Sequence, residues 1–280
     1  RAEMDLQLML AAKRCGVEVT EDARVIAANI QDDKAKTIIL RLDDGSKREI
    51  AADIFVDATG RAAALSRLTD NIPVSRKRSG IVGFKAHLQN VVPEEGVCEI
   101  YFFDGGYGGL GHVEDGKANF CFLVKAGVAK QFAGQTDSLF EWILNQNRRA
   151  GERLRAAAPT HDWLAVAIDE FGRKRASTLS NLIAVGDAGA FIDPFTGSGI
   201  LMALESSELL AASVSVNGFE KTAYLAAHKR LFRRRLAVAA VLRRAAFMPK
   251  AASAAIRLAS ASDRLRQTLA RATRARRTVF

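Results

Sequence analysis

Residues 181–203 read NLIAVGDAGAFIDPFTGSGILMA, and this stretch decides the fold. Leu182-Ile183-Ala184-Val185 is a short continuous apolar run, the pattern of a buried strand. It passes directly into Gly186-Asp187. An Asp193-Pro194 pair follows, and then Gly197-Ser198-Gly199 stands at the head of a strongly helical segment, Ile200 to Val214. A Gly-Asp after a strand, taken alone, is equally at home in an ordinary βα turn where Asp187 is a surface or capping residue. Here the strand, the Gly-Asp, the Asp-Pro and the Gly-x-Gly helix start all occur in one register, which makes an ordinary turn the weaker reading.

A second stretch of the same kind lies upstream. Residues 52–61, ADIFVDATGR, carry the apolar run Ile54-Phe55-Val56 into Asp57-Ala58-Thr59-Gly60, as a buried strand running into a loop would. Between the two, Ile81 to Leu88, Val97 to Phe103, Gly108 to Val113 and Asn119 to Val124 read as four antiparallel strands separated by Gly-rich and acidic turns. An amphipathic helix is expected from about Ser138 to Ala157. Ahead of residue 52 the order is a helix stopped at Cys15-Gly16, a short strand Val17-Glu18-Val19, and a meander of Arg24 to Asn29, Thr37 to Leu42 and Lys47 to Ile50, with a turn at Asp43-Asp44-Gly45-Ser46. Beyond residue 214 the chain is Ala- and Arg-rich and helix-forming, with a break at Pro249.

The chain has 280 residues, 49% of them hydrophobic and 26% charged, the balance of a globular protein large enough for two cores and too apolar for disorder. Cys15, Cys98 and Cys121 are scattered, with no CxxC pair, which argues against a disulfide framework or a zinc site. His87, His112, His161 and His228 are far apart, and no Ser/His/Asp order suggests hydrolysis. The net charge of +10 is concentrated after Lys221, where Asp263 is the single acid. Such a tail reads first as a solvated helical face, next as contact with an anionic membrane surface, and last as nucleic-acid binding, for which interleaved aromatics are lacking. The longest apolar runs, such as Leu236 to Leu242, are too short to span a bilayer.

Residues 181–203 closely resemble the second FAD motif of the flavoproteins related to geranylgeranyl reductases and aromatic-ring hydroxylases, and residues 52–61 resemble the strand that precedes the flavin in that family. The resemblance implies an α/β fold: a Rossmann-like FAD-binding domain from residues 1–75 and 172–215, an inserted antiparallel-sheet substrate domain over 76–171, and a basic helical region over 216–280. It implies that Gly186-Asp187 meets the ribityl chain of FAD, with the Asp187 carboxylate accepting from the sugar-alcohol hydroxyls. Asp193-Pro194 would pass the edge of the isoalloxazine ring. Gly197, Ser198, Gly199 and Ile200 would open a helix toward the pyrimidine side, where reduced flavin carries negative charge and a helix N-terminus offers unpaired N–H groups. Thr59-Gly60 would let the chain pass close to the diphosphate and ribose. A weaker likeness, Arg1-Ala2-Glu3-Met4-Asp5-Leu6-Gln7-Leu8, matches a helix start of the family, makes Arg1 a cofactor-binding candidate and places Val25 where the family's backbone reads the adenine edge. The family opens with a strand, G-x-G-x-x-G and a helix. The one Gly-dense stretch here, Gly105 to Gly111, opens no helix, so the chain is expected to be roughly the C-terminal two-thirds of such a protein.

The same likeness makes the antiparallel sheet one wall of a substrate cavity, with Tyr101, Phe103 and Tyr107 as candidate lining residues. The Phe-Pro stretch of geranylgeranyl reductases and the Trp-x-Trp-x-Ile signature of flavin halogenases are both absent. No catalytic side chain is assigned, because the redox chemistry belongs to the flavin. The expected activity is an FAD-dependent reduction of a hydrophobic small molecule with NAD(P)H as reductant. The alternatives are an FAD-dependent monooxygenase and a remnant unable to hold FAD. The expected location is the cytoplasm, with peripheral contact at the inner face of a membrane, and no metal is expected.

Overall fold

The computed structural model describes residues 2–70, 79–92, 94, 96–168, 170–214 and 219–273; Arg1 lies outside them. Helix α1 (Ala2–Arg14) stops at the Cys15-Gly16 turn, and an antiparallel meander follows as β1 (Arg24–Gln31), β2 (Lys34–Arg41) and β3 (Lys47–Ala51). The β2–β3 turn is built by its side chains: Asp44 Oδ1 accepts from the Ser46 N–H at 2.8 Å, and Gly45 takes a φ of +80°. Val17-Glu18-Val19, expected as a strand, joins no ladder among the described residues.

Strand β4 (Phe55–Asp57) leads through a 3-10 turn at Gly60–Ala62 into helix α2 (Ala64–Thr69). The antiparallel layer then comprises β5 (Ile81–Gln89), β6 (Cys98–Phe103), β7 (Gly106–His112) and β8 (Ala118–Lys125), joined after helices α3 (Ala126–Lys130), α4 (Thr136–Gln146) and α5 (Arg148–Leu154) by β9 (Ala158–Pro159) and β10 (Leu164–Ile168). Its order is β10-β5-β8-β7-β6, with β9 paired to β5. The helix expected over 138–157 is split at Asn147. There the Asn147 side chain caps α5 by accepting from the Ala150 N–H at 3.1 Å, and its amide donates to the Phe102 carbonyl at 3.1 Å. Strand β10 is an edge strand with Leu164 69% exposed, which the sequence pattern did not disclose.

The Gly-dense run is the strand β7, and two of its glycines, Gly106 and Gly108, are there for space. A Cβ on Gly106 would sit 2.3 Å from the Leu123 carbonyl oxygen and 2.5 Å from the Phe103 ring; one on Gly108 would meet the Phe120 ring at 2.9 Å. The aromatics beside them, with Tyr101 and Phe122, pack against Leu139, Phe140, Ile143 and Leu144 of α4 to form the largest core.

After β11 (Gly172–Arg173), strand β12 (Leu182–Ala184) pairs in parallel with β4, Leu182 opposite Phe55 and Ala184 opposite Asp57. Asn181 anchors the pair to the meander. Its side chain bonds both the N–H and the C=O of Ala35, at 2.9 and 2.8 Å, and donates to the Asp53 carbonyl at 3.1 Å. A short helix α6 (Gly186–Gly189) and strand β13 (Ala190–Phe191, paired with β11) come next, followed by α7 (Gly199–Val214), α8 (Lys221–Ala246), α9 (Pro249–Ser260) and α10 (Asp263–Thr273). Pro249 starts α9 at its first position, where its missing N–H costs nothing.

Helix α8 is not simply a solvated basic surface. Tyr224, His228, Phe232, Arg235, Ala239 and Ala246 form a buried stripe along it. Arg235 makes two bonds to the Glu205 carboxylate of α7, at 2.6 and 3.2 Å. No helix among the described residues is long and apolar enough to cross a membrane.

Two outcomes follow. Gly106→Ala should cost about 1–3 kcal/mol or more by overpacking, whereas Gly111→Ala, with nothing within 4 Å of the new Cβ, should be close to neutral; chemical denaturation of both variants checks this. His228 is held neutral by burial and by the nearby Arg173, which take its pKa from 6.5 down to about 4. A group with a depressed folded pKa contributes stability that is present above its unfolded pKa and is lost as pH falls toward the folded one. Stability should therefore decline between about pH 6.5 and pH 4, and His228→Gln should flatten that part of the profile.

Candidate functional site

Both parallel strands run in the same direction, so their carboxyl ends open at one edge, the position where open α/β sheets bind ligands. The Val185 N–H bonds the Asp57 carbonyl at 3.0 Å and holds the two following loops side by side. One is Asp57-Ala58-Thr59-Gly60 and the other is Gly186-Asp187.

The first loop is wound around a buried carboxylate. Asp57 is 0% exposed. Its Oδ1 accepts from the Thr59 N–H at 3.0 Å and the Thr59 hydroxyl at 2.6 Å, and its Oδ2 from the Ser66 N–H at 2.8 Å and the Ser66 hydroxyl at 2.7 Å. Thr59 Oγ1 also accepts from the Ala64 N–H at 2.6 Å. Thr59 thus spends its side chain on the loop and leaves the backbone at Gly60, with φ +70° and nothing within 4 Å of a Cβ position, open at the strand ends.

In the second loop, Gly186 takes a φ of +55° and donates its N–H to Ser206 Oγ of α7 at 2.8 Å; a Cβ there would crowd Ala203 at 3.2 Å. Half-buried Asp187 stands in the first turn of α6. Further on, Asp193 Oδ1 caps the 3-10 turn Pro194–Thr196 by accepting from the Phe195 N–H at 2.9 Å. Gly197, φ +62° with open space around it, ends that turn, and α7 begins at Gly199. The first bond into α7 runs from the Met202 N–H to the Ser198 carbonyl at 2.9 Å, so the N–H groups ahead of Met202 precede the helical ladder.

Asp193 joins three parts of the molecule. It is 1% exposed and accepts from the Tyr107 hydroxyl of β7, while Arg243 Nε of α8 lies 3.9 Å from its Oδ2. Burial raises the pKa of this carboxyl and offsets the lowering by Tyr107, the Phe195 N–H and Arg243. Burial likewise pushes the Tyr107 phenol upward. The Arg243 guanidinium covers the Phe171 ring at 4.4 Å, and Phe171 stacks on Phe191 at 5.0 Å.

Beside this turn lies an apolar groove of about 290 Å³, walled by Phe102, Phe195, Thr196 and residues of α8, α9 and α10. Tyr101 and Phe103, expected on the substrate wall, are on the opposite face of β6, sealed in the core under α4 and α5. Strand alternation puts the neighbouring Phe102 on the groove side instead. Tyr107 faces the same side as Phe102, but its ring is enclosed by Phe195 and Phe247 and its hydroxyl is taken by Asp193. Buried Ser198 donates to the Thr273 carbonyl of α10 at 2.7 Å, so this side chain fastens the last helix to the glycine turn. Pro194 and Ile200 are exposed at either end of the turn. Val25 packs half-buried against the core cluster of Ala35, Phe55, Leu65, Leu179 and Leu182. Sequence reasoning missed the side-chain roles of Asp57, which closes the first loop, and of Asn181, which ties the strand pair to the meander.

No family model matches the sequence, and no curated protein matches it. Solved structures do. The flavin-dependent brominase Bmp2 superposes with a TM-score of 0.76 at 17% identity, covering 98% of this chain and 69% of that one. The geranylgeranyl bacteriochlorophyll reductase-like protein of Thermoplasma acidophilum gives 0.71 at 17% identity, over 89% of this chain and 64% of that one. PqsL of Pseudomonas aeruginosa, described as a probable FAD-dependent monooxygenase, gives 0.62 at 17% identity, over 82% and 65%. The chain has the fold of these proteins. It spans about two-thirds of the length of each.

Within this fold, Asp57 is the residue that shapes the first loop. Asp57→Ala would strip four donors of their acceptor, the two of Ser66 buried and the two of Thr59 part-buried, at a cost of about 1–3 kcal/mol. Asp57→Asn, which keeps one acceptor oxygen, should lose less, and equilibrium urea unfolding of the two variants reads the difference.

Proposed function

We propose that this protein carries out FAD-dependent oxidoreduction of a hydrophobic small molecule, with NAD(P)H as the reductant. The observation that carries the proposal is the joint opening of the β4 and β12 ends, where the loops of Gly60 and of Gly186-Asp187 lie side by side and Gly186 packs on α7 at Ala203 and Ser206. The residues present fit the cofactor. Gly60 and Gly197 have open space where a Cβ would stand, Asp187 supplies an acceptor for ribityl hydroxyls, and the first turn of α7 supplies N–H donors for the electron-rich pyrimidine edge. In this reading Thr59-Gly60 passes the diphosphate and ribose, Gly197-Ser198-Gly199-Ile200 presents the helix end, and Pro194 borders the ring. Val25 belongs to the adenine side, and Arg1 to the cofactor site.

Bound FAD would supply the hydride or oxygen chemistry. The chain's own contribution is to hold the ring by one edge and to keep an apolar groove against the Pro194–Thr196 turn. Reduction of a double bond is the first reading, supported by the likeness to the Thermoplasma reductase-like protein. Hydroxylation is the second, supported by the likeness to PqsL, and oxygen uptake coupled to product separates the two. The cytoplasm, with the basic helices at an anionic membrane face, is the proposed location.

The test is flavin retention. Protein incubated with FAD and desalted should keep flavin absorbance near one equivalent per chain, and Asp187→Ala should weaken retention by tenfold or more, the loss of charge-assisted bonds to the ribityl chain. Equal retention by both proteins would remove Asp187 from the site. A colourless wild-type protein would favour the remnant reading.

A further inference from the structure

We infer that the groove between the Pro194–Thr196 turn and helices α9 and α10 is the substrate site, and that it takes a compact, uncharged, hydrocarbon-rich molecule. This inference rests on the flavin reading and adds to it the class of substrate. The groove measures about 290 Å³, at the small end of ligand pockets. Its surface comes from Phe102 and Phe195 on one side and from Ile256, Leu269 and a series of alanines on the other. The helices that form it belong to the arginine-rich part of the chain, yet among the described residues no charged side chain lines it. A charged ligand would lose its water there without gaining a partner. Among the described residues the side-chain hydroxyls in the lining are those of Thr196 and Thr273, so the groove suits one or two neutral polar groups on an otherwise apolar body.

The position of the groove ties it to the glycine turn. Phe195 and Thr196 line it and immediately precede Gly197-Ser198-Gly199. The Ser198 hydroxyl bonds the Thr273 carbonyl at 2.7 Å, which fixes the end of α10 to that same turn. The competing occupant is a bilayer surface, which the exposed Ile256 and Leu258 and the flanking arginines would also attract. Shape favours the small molecule. A membrane-inserting helix face projects bulky side chains outward, whereas alanines here create a concavity.

The probe is N-phenyl-1-naphthylamine, a neutral fluorophore of two linked ring systems, titrated without FAD so that failure of flavin binding cannot affect the result. Wild-type protein should show one saturable site. Ala255→Trp, at an exposed position of α9 that lines the groove, should weaken it about tenfold by filling the space, and Ala255→Asp should do so by charge. Leu164→Asp, on the exposed edge strand β10, should leave it unchanged. Non-saturable binding, or equal binding by both Ala255 variants and wild type, overturns the proposal. It is also overturned if the Ala255 variants lose sedimentation with phosphatidylglycerol vesicles while keeping probe affinity, which would make the groove a membrane contact.

Discussion

Two three-residue strands cannot hold each other through their own ladder, and the remainder of the structure exists around the fact that β4 and β12 nevertheless lie in parallel register. The pairing is held from outside at both ends. Asn181 bonds Ala35 and Asp53 before the strands begin, and the Val185 N–H meets the Asp57 carbonyl where they finish. Because the pair is parallel, both exits fall at one edge, and the two glycine-bearing loops are delivered together. An antiparallel pairing of the same residues would send them to opposite edges.

Buried carboxylates then fix the loops. Asp57 has four donors from Thr59 and Ser66, so its charge is compensated inside the loop that it shapes. Asp193 does comparable work at longer range. It receives the Tyr107 hydroxyl from the antiparallel sheet, caps the turn before Gly197, and lies near Arg243 of α8. The antiparallel sheet, the Pro194–Thr196 turn and the C-terminal helices therefore meet at one side chain. A displacement of any of the three is felt at the turn that would border the flavin ring.

Much of this could be read directly from the chain where the signal is local. The runs ending in Gly60 and Gly186, the four strands from Ile81 to Val124, the helix after Gly199 and the break at Pro249 each announce themselves within a few residues. What escaped was non-local. Nothing near Asp57 or Asn181 tells that their side chains close loops and join sheets. Alternation along Tyr101-Phe102-Phe103 shows two faces without showing which one α4 and α5 will cover, and the choice of Tyr101 and Phe103 for the wall fell on the covered face. Arg235 read as part of a basic surface because its partner Glu205 is 30 residues away. Asn147 broke an otherwise continuous helical pattern through a cap and a bond to the Phe102 carbonyl.

The central claim is that the β4 exit, the β12 exit and the start of α7 form one cofactor surface. Hydrogen exchange followed by mass spectrometry, with and without FAD, tests it directly. The account predicts that peptides covering residues 57–64, 186–189 and 197–203 gain protection together on addition of FAD, while those of β1–β3 and α4 do not change. Protection confined to other segments, or none at the glycine loops, would contradict it.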